Sequence, residues 1–222
     1  MKVLIIQMNN LIKGIDKRLN VIDRIISKSK DIDLILLPAL STTSYLEDVE
    51  LIKYLDKENG LAYRFTKDMS SKYNSLFGIG FPEKKGDAIF NSYIIGDEKN
   101  INGIIRENNS FSSLFKKGKY NHLIKTKIGN IFVAIGNDLN SINLENNSNI
   151  KLIIIPDYKY NINNEEIKGK LYNIYKHMNI PIVYLSNNIK ENKEDNYDNA
   201  NIISILDGNI IESTEDSLEI IL

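Results

Sequence analysis

One stretch in the middle of the chain constrains the fold more than any other. The continuous apolar run at residues 131–135 is followed by the polar turn Gly136-Asn137-Asp138. A run of this length, bounded by glycine and asparagine, is typical of a strand that is covered on both faces of its sheet. Proteins with such strands place their functional groups at the carboxyl ends of the strands. The sequence therefore predicts an α/β fold with a functional site close to Gly136.

The rest of the chain alternates short apolar runs with amphipathic segments. Residues 3–8 and 34–37 are strand candidates, and residues 16–30 between them carry apolar side chains at helical spacing. Strand, helix and strand in this order predict a βαβ unit with parallel strands. Further helices are predicted at 47–55, 60–73 and 164–178, and further strands at 76–81, 90–95, 100–106, 151–156, 180–185, 201–206, 209–211 and 218–222. Residues 108–128 are predicted to form a polar loop.

Composition excludes several classes of protein. The chain has 28 basic and 29 acidic residues, which argues against binding to nucleic acid or to an anionic membrane. It has no cysteine, so a disulfide, a thiolate metal site and a thiol nucleophile are all excluded. No apolar run approaches the roughly 20 residues of a transmembrane helix, and the first residues lack the features of a signal peptide. We expect a cytoplasmic protein with one domain over residues 1–222 and no cofactor.

The motifs along the chain resemble those of the nitrilase, or carbon–nitrogen hydrolase, family. Gly129, Ile135 and Asp138 match three positions of the family's nucleophile motif, Gly-x-x-x-x-x-Ile-Cys-x-Asp, and Gly136 stands where the cysteine belongs. The order and spacing of further motifs extend the resemblance over nearly the whole chain. It implies an α/β fold in which two stacked sheets form a four-layer α-β-β-α sandwich.

The other members of the family's catalytic set are also replaced. Ala39 follows the proline after which the family has its glutamate base. Glu107 falls on the position of the catalytic lysine, and a shift of one residue would offer Arg106 or Asn108 instead. No alignment supplies a lysine there. Glu83 corresponds to the second glutamate of the family site, which is regarded as orienting the lysine.

The chemistry that the resemblance implies therefore lacks three essential parts. In the family a thiolate attacks an amide or nitrile carbon, a glutamate moves protons and a lysine helps to stabilise the oxyanion. With Gly136, Ala39 and Glu107 in these positions, we expect a protein that has lost hydrolysis and has a binding, scaffolding or regulatory role. The residues predicted to line a remaining binding site are Glu83, Asn137, Asp138, Asp157 and Tyr158. Because these charges are acidic, the ligand is expected to be neutral or cationic.

An active hydrolase of a small amide with a relocated site is the alternative. A new nucleophile would have to lie within hydrogen-bond reach of a base. The hydroxyl candidates are Ser41, Thr42 and Thr43, and the only imidazoles are His122 and His177. The plainer interpretation is that the hydroxyls cap the following helix and that His122 lies in a surface loop.

The acidic residues raise two further questions. Glu83, Glu107, Asp138 and Asp157 offer the oxygen ligands that hard cations prefer, although Asp138 is better explained as fixing its turn and no metal site is predicted. Glu83 and Glu107 together, without a lysine, are expected to repel each other. Three outcomes are open: Arg106 or a lysine of residues 116–119 turns inward, a cation binds, or Glu107 turns out to solvent. The last is expected.

The resemblance also implies a homodimer in which two sandwiches pair through their helical faces. The segments expected at the contact are residues 139–149 and the helix at 164–178. Residues 139–149 are short and rich in asparagine, which has a poor helix propensity. We therefore expect a dimer that is weaker than is usual in the family.

Overall fold

In a computed structural model the chain forms two stacked six-stranded sheets with helices on their outer faces. The structure describes residues 1–44, 48–110, 112–119, 122–142, 149–158, 163–188 and 201–222. The α-helices in these ranges are α1 Ile15–Ile26, α2 Asp48–Leu51, α3 Leu61–Tyr73 and α4 Asn164–Met178. None of the described helices is both long and apolar enough to cross a membrane.

The strands are named here in chain order. They are β1 Lys2–Ile6, β2 Leu34–Leu36, β3 Leu76–Lys85, β4 Ala88–Gly96, β5 Ile101–Arg106, β6 Leu123–Thr126, β7 Gly129–Val133, β8 Ile150–Pro156, β9 Ile182–Leu185, β10 Ile202–Leu206, β11 Asn209–Ser213 and β12 Ser217–Ile221. The first sheet has the order β12-β1-β2-β3-β4-β5 and the second β11-β10-β9-β8-β7-β6. Three parallel strands, β1-β2-β3 and β7-β8-β9, lie at the centre of each sheet, with antiparallel strands outside them.

The core has three layers because both faces of the central strands are covered. Along β1, Val3 and Ile5 pack between the sheets, whereas Leu4 and Ile6 pack outwards against α1 and α3. The second sheet packs its outer face against α4 through residues such as Leu171. Burial on both faces explains why these strands are continuous apolar runs. The predicted α/β fold class, a four-layer α-β-β-α sandwich, is confirmed.

Most predicted elements are present, with shifted ends. The helix at 164–178 has the predicted bounds, whereas the helix predicted at 16–30 extends over Ile15–Ile26. The predicted polar loop 108–128 contains a strand, β6, which pairs with β7. The predicted helix at 47–55 is divided into α2 and a short 3-10 helix, Ile52–Tyr54, and residue 47 lies outside the described residues. Of the segment 139–149, residues 143–148 also lie outside them.

A buried arginine fixes the turn that follows β2. The Arg18 guanidinium is fully buried, and its Nε donates to the carbonyl of Ser41 at 2.6 Å. One of its terminal nitrogens donates to the carbonyls of Asn9 and Ile12 at 2.9 and 3.1 Å. Burial lowers the pKa of Arg18 to about 10, which leaves the group charged at neutral pH. The helix and two loops are thereby tied together beside the turn.

The same turn carries Ala39 into the space between the sheets. Ala39 is fully buried, and its carbonyl accepts a hydrogen bond from Nδ2 of Asn187, which follows β9 in the other sheet. A Cβ atom on Gly80 would lie 2.4 Å from the Cα atom of Ala39, so only glycine permits this approach of the backbones. The backbone at Ala39, which is predicted to correspond to the family's glutamate base, is therefore fixed by close contacts. Its side chain is only a methyl group.

Candidate functional site

The site is built around a sharp turn at the carboxyl end of β7. The chain leaves β7 through extended Ile135, reverses at Gly136 with φ +52°, and enters a short 3-10 helix, Gly136–Ser141. This left-handed conformation is one that glycine adopts readily and other residues rarely do. A strand, a sharp turn and a helix in this order also expose the nucleophile in α/β-hydrolases. The backbone here has the form of such an elbow without a reactive side chain on it.

The carboxyl group of Glu107 lies where a nucleophile's side chain would begin. A Cβ atom on Gly136 would lie 2.8 Å from Oε1 of Glu107, and 3.4 Å from both Oδ1 of Asp157 and Cε1 of Tyr158. The first distance is too short for a real contact, so a side chain at this position requires Glu107 to move. Glu107 is only 1% exposed. The expectation that Glu107 turns out to solvent is therefore wrong.

The backbone explains why Glu107 points inward. Its N–H donates to the carbonyl of Asn91 on β4, and its carbonyl accepts from the N–H of Gly118, both at 2.9 Å. Glu107 thus continues the pairing of β5 instead of starting a free loop. Since side chains alternate along a strand, Glu107 and the neighbouring Arg106 point to opposite faces of the first sheet. Glu107 faces the second sheet.

Two groups contact the Glu107 carboxyl group closely. Its Oε2 accepts a hydrogen bond from Nδ2 of Asn91 at 2.9 Å. Its Oε1 makes no hydrogen bond to any described residue, although the backbone N–H of Asn137 is near enough to favour the charged form. Burial raises the pKa of Glu107 to about 7, and the negative charges of Asp138 and Asp157 act in the same direction. Glu107 therefore titrates near neutral pH.

Asp138 fixes the chain that follows Glu107. Its carboxylate accepts the backbone N–H of Asn108 at 3.0 Å and the backbone and side-chain N–H groups of Asn109 at 2.9 and 3.1 Å. Burial raises the pKa of Asp138, and these hydrogen bonds together with His122 oppose the shift. The predicted role of Asp138 in fixing its turn agrees with these contacts, which also join the turn to the loop after β5.

Three other predicted residues lie beside Gly136 or close to it. Oδ1 of Asp157 accepts the backbone N–H of Tyr158 at 2.7 Å, and its Oδ2 accepts the hydroxyl of Tyr184 at 3.2 Å. Asp157 and Tyr158 are each 4% exposed. Nδ2 of Asn137 donates to the carbonyl of Asn109 at 3.0 Å. Asp157 and Tyr158 thus face the position of the missing Cβ atom, and Asn137 follows it in the chain.

Glu83 belongs to a separate cluster on the helix-facing side of the first sheet. Nε of Arg106 donates to Oε2 of Glu83 and a terminal nitrogen donates to Oε1, both at 2.6 Å. The hydroxyl of Ser92 donates to Oε2 at 2.7 Å, and the guanidinium lies 5.0 Å from the centre of the Phe90 ring. The expected repulsion between Glu83 and Glu107 is therefore wrong, because alternation along β5 separates them. Arg106 neutralises Glu83, whereas Glu107 faces Asp138 and Asp157.

The hydroxyl candidates for a relocated nucleophile are buried, and two of the three donate to backbone carbonyls. Ser41 donates to the carbonyl of Pro38 at 2.6 Å, and Thr43 donates to the carbonyl of Ser44 at 3.0 Å. Thr42 is 3% exposed in the same turn. These residues stabilise the turn around Ala39. The expected capping of the following helix, α2, involves residues that lie partly outside the described ranges.

Both imidazoles are occupied by other groups. Nδ1 of His122 lies 2.8 Å from the carbonyl of Val133, to which it donates, so Nε2 accepts from Nδ2 of Asn108 at 3.0 Å. His177 lies on α4 and is bonded to the carbonyl of Asn173 at 2.7 Å. Among the described residues, no Ser or Thr hydroxyl is hydrogen-bonded to an imidazole. Within the same residues, no three His, Asp or Glu side chains are arranged to hold a metal ion.

Comparison with known proteins shows the family of the chain. The family model described as "Carbon-nitrogen hydrolase" matches residues 3–145, well over half of the chain. The chain belongs to the carbon–nitrogen hydrolase family. Among curated proteins, none matches its sequence.

Solved structures show how closely this member of the carbon–nitrogen hydrolase family keeps the family fold. It is similar to Nit3 of Saccharomyces cerevisiae, a member of branch 10 of the nitrilase superfamily, with a TM-score of 0.76 and 18% identity over 99% of this chain and 88% of that one. It is also similar to the Xanthomonas campestris superfamily protein XC1258, with a TM-score of 0.82 and 9% identity over 99% and 89% of the two chains. Identities this low show the fold alone.

Two polar residues that bind the carboxyl groups of the site were not predicted from the sequence. The contact of Asn91 with Glu107 was not expected. The antiparallel pairing of β4 and β5 places Ser92 opposite Arg106. The residue before Ser92, Asn91, therefore lies opposite the residue after Arg106, Glu107, and this pairing was the available signal. Tyr184 is opposite Ile155 on a parallel strand, and no local pattern indicated its contact with Asp157.

Proposed function

We propose that this member of the carbon–nitrogen hydrolase family has lost amide and nitrile hydrolysis and has a binding, scaffolding or regulatory role. The observation that carries the proposal is the position of Glu107, whose Oε1 lies 2.8 Å from where the Cβ atom of a residue at position 136 would be. The space of a thiol nucleophile is thus taken by a carboxyl group. Ala39 cannot accept the proton that the family's glutamate moves. Removing members of such a catalytic set usually lowers turnover by several orders of magnitude.

The test is release of ammonia from amides, nitriles and N-carbamoyl compounds by the purified protein. We expect no turnover above that of heat-treated protein, because the elbow carries no thiol and Ala39 stands at the position of the family's glutamate base. A family member that retains its cysteine serves as the positive control. Turnover by the wild-type protein that Glu107→Gln or Asp157→Asn abolishes would contradict the proposal. It would favour the relocated, non-cysteine site.

We propose further that any small ligand of the site is neutral or cationic. Burial and, after it, the negative charges of Asp138 and Asp157 raise the pKa of Glu107. An anion at this site would therefore meet a negative potential. Small amines and neutral amides are expected to raise the melting temperature more than small carboxylates do. Stabilisation by carboxylates but not by amines would contradict this charge argument.

We propose a homodimer formed through the helical faces, as the family resemblance implies. Gly169 on α4 is exposed, and a Cβ atom there would have no neighbour within 4 Å. Gly169→Arg is therefore expected to leave the fold intact and to dissociate the dimer. Light scattering of the wild-type protein should give twice the 25.4 kDa mass of the chain. The mass of one chain at high micromolar concentration would contradict the proposal.

The single domain over residues 1–222 and a cytoplasmic location stay predictions.

A further inference from the structure

Two buried oxygen atoms beside Gly136 have no hydrogen-bond donor. Oε1 of Glu107 and Oδ1 of Asn91 accept no hydrogen bond from the residues that the structure describes, and the two side chains are 1% and 0% exposed. The amide nitrogen of Asn91 is already used, because it donates to Oε2 of Glu107. Buried acceptors in proteins are nearly always matched by a donor, and an unmatched one costs free energy. The two oxygens therefore indicate a donor from outside the described chain.

Both oxygens belong to side chains that point into the space between the sheets. Asn91 lies opposite Glu107 on the neighbouring strand, and opposite residues of paired strands point to the same face. Oε1 of Glu107 and Oδ1 of Asp157 lie 2.8 and 3.4 Å from one point, the position of a Cβ atom on Gly136. Because charge-assisted N–H···O distances are about 2.8 Å, a nitrogen placed between these two oxygens lies within hydrogen-bond reach of both.

The charges around these oxygens favour a cationic donor over a water molecule. Asp138 and Asp157 place negative charge beside Glu107. Among the described residues, no lysine, arginine or histidine forms an ion pair with Glu107. The neighbouring Arg106 binds Glu83 on the other face of the sheet. A positively charged donor is attracted by these carboxyl groups, whereas a neutral one is not.

The number of oxygens favours an ammonium group over a metal ion. A calcium ion takes about six to eight oxygen ligands, whereas a primary ammonium group has only three N–H donors to satisfy. Oxygens of three side chains, Glu107, Asn91 and Asp157, match that number. In the part of the chain that the structure describes, no three acidic or imidazole side chains are arranged to hold a metal ion.

We propose that the site at Gly136 binds an ammonium group, either the free ion or the head of a primary amine, through Glu107, Asn91 and Asp157. Oε1 of Glu107 and Oδ1 of Asn91 accept two of its N–H groups, and Oδ1 of Asp157 accepts a third. The proposal rests on the proposed function, since it names the class of ligand that the same site binds without hydrolysing it.

An NMR titration of the wild-type protein separates the N–H donors of ammonium from its charge. The carboxyl carbon of Glu107 and the side-chain amide of Asn91 are followed at about pH 8, where Glu107 is largely ionised. Potassium chloride at equal ionic strength is the matched control, because potassium resembles ammonium in size and charge but donates no hydrogen bond. We expect a saturable shift with ammonium chloride and at least about tenfold weaker binding of potassium. Methylammonium chloride distinguishes the two sources of the group.

Two variants assign the binding to the site. Glu107→Gln should weaken ammonium binding by at least about tenfold, because it removes the negative charge, and the change at exposed Glu98, Glu98→Gln, should leave binding unchanged. Saturation with methylammonium as well as ammonium identifies primary amines, and saturation with ammonium alone identifies the free ion; both support the proposal.

Three results overturn the proposal. They are the lack of a saturable shift with either salt, equal binding of ammonium and potassium, and unchanged binding by Glu107→Gln. The comparison of salts uses only the wild-type protein, so it decides the proposal even if a variant does not fold. Ammonia release from amides would defeat the proposed function separately, because the titration contains no amide.

Discussion

Arg106→Met is expected to lower the free energy of unfolding by about 3 kcal/mol. Glu83 is 1% exposed, and three of its hydrogen bonds come from Arg106 and Ser92. The substitution removes two of the three donors and leaves a buried carboxylate without its counter-charge. The Arg106 side chain is 20% exposed, so solvent screens the pair only in part. Denaturant unfolding at neutral pH measures the loss.

The double variant Glu83→Gln/Arg106→Met separates the lost ion pair from lost packing. Since it removes both charges, it should recover a large part of the stability that Arg106→Met loses. Arg106→Lys keeps the charge but cannot make the two parallel hydrogen bonds, so an intermediate loss is expected. A double variant no more stable than Arg106→Met would show that the Phe90–guanidinium packing, and not the ion pair, is what stabilises this end of β5.

Glu107→Gln is expected to stabilise the protein above neutral pH by up to about 3 kcal/mol. Burial raises the pKa of Glu107 from 4.5 to about 7, so the folded state holds a proton that the unfolded state has released between these values. The stability due to this proton is fully present below 4.5 and is lost as the pH rises through about 7. Glutamine keeps the shape of the protonated group at every pH.

Urea unfolding of both proteins between about pH 5 and pH 8 measures this difference. The stability of the wild-type protein should fall relative to that of the variant over this interval. Glu98→Gln is the matched control, because Glu98 is exposed and the same substitution there should leave the pH dependence unchanged. Wild-type and Glu107→Gln curves that stay parallel would show that Glu107 is not buried with a proton.

The sequence was sufficient to predict the layers of the fold but not all of its strands. The continuous apolar runs of β7 and β8 indicate burial on both faces, and the bounds of α4 follow from its apolar spacing. β6 was missed because it is a four-residue edge strand in a polar segment, with Lys125 exposed. Its formation depends on pairing with β7, a contact that local composition does not encode.

The vestigial positions were predictable, whereas the directions of their side chains were not. The motif spacing placed Gly136 at the elbow and Glu107 at the position of the lysine. Whether Glu107 faces inwards depends on whether the strand pairing of β5 continues beyond Arg106. That pairing includes a hydrogen bond from the backbone of Gly118, which is eleven residues further along the chain. Glu83 was expected in the same pocket as Glu107. Neighbouring residues of a strand point to opposite faces of the sheet, and sequence motifs do not show which face a residue takes.

The central claim is that a protonated Glu107 carboxyl group holds the space of the missing nucleophile. A crystal structure determined at about pH 6, below the pKa of Glu107, tests it most directly. We predict density for the Glu107 side chain between Gly136 and Asp157, with Oε2 bonded to Asn91. A Glu107 side chain directed to solvent, leaving a water-filled pocket at Gly136, would contradict the claim.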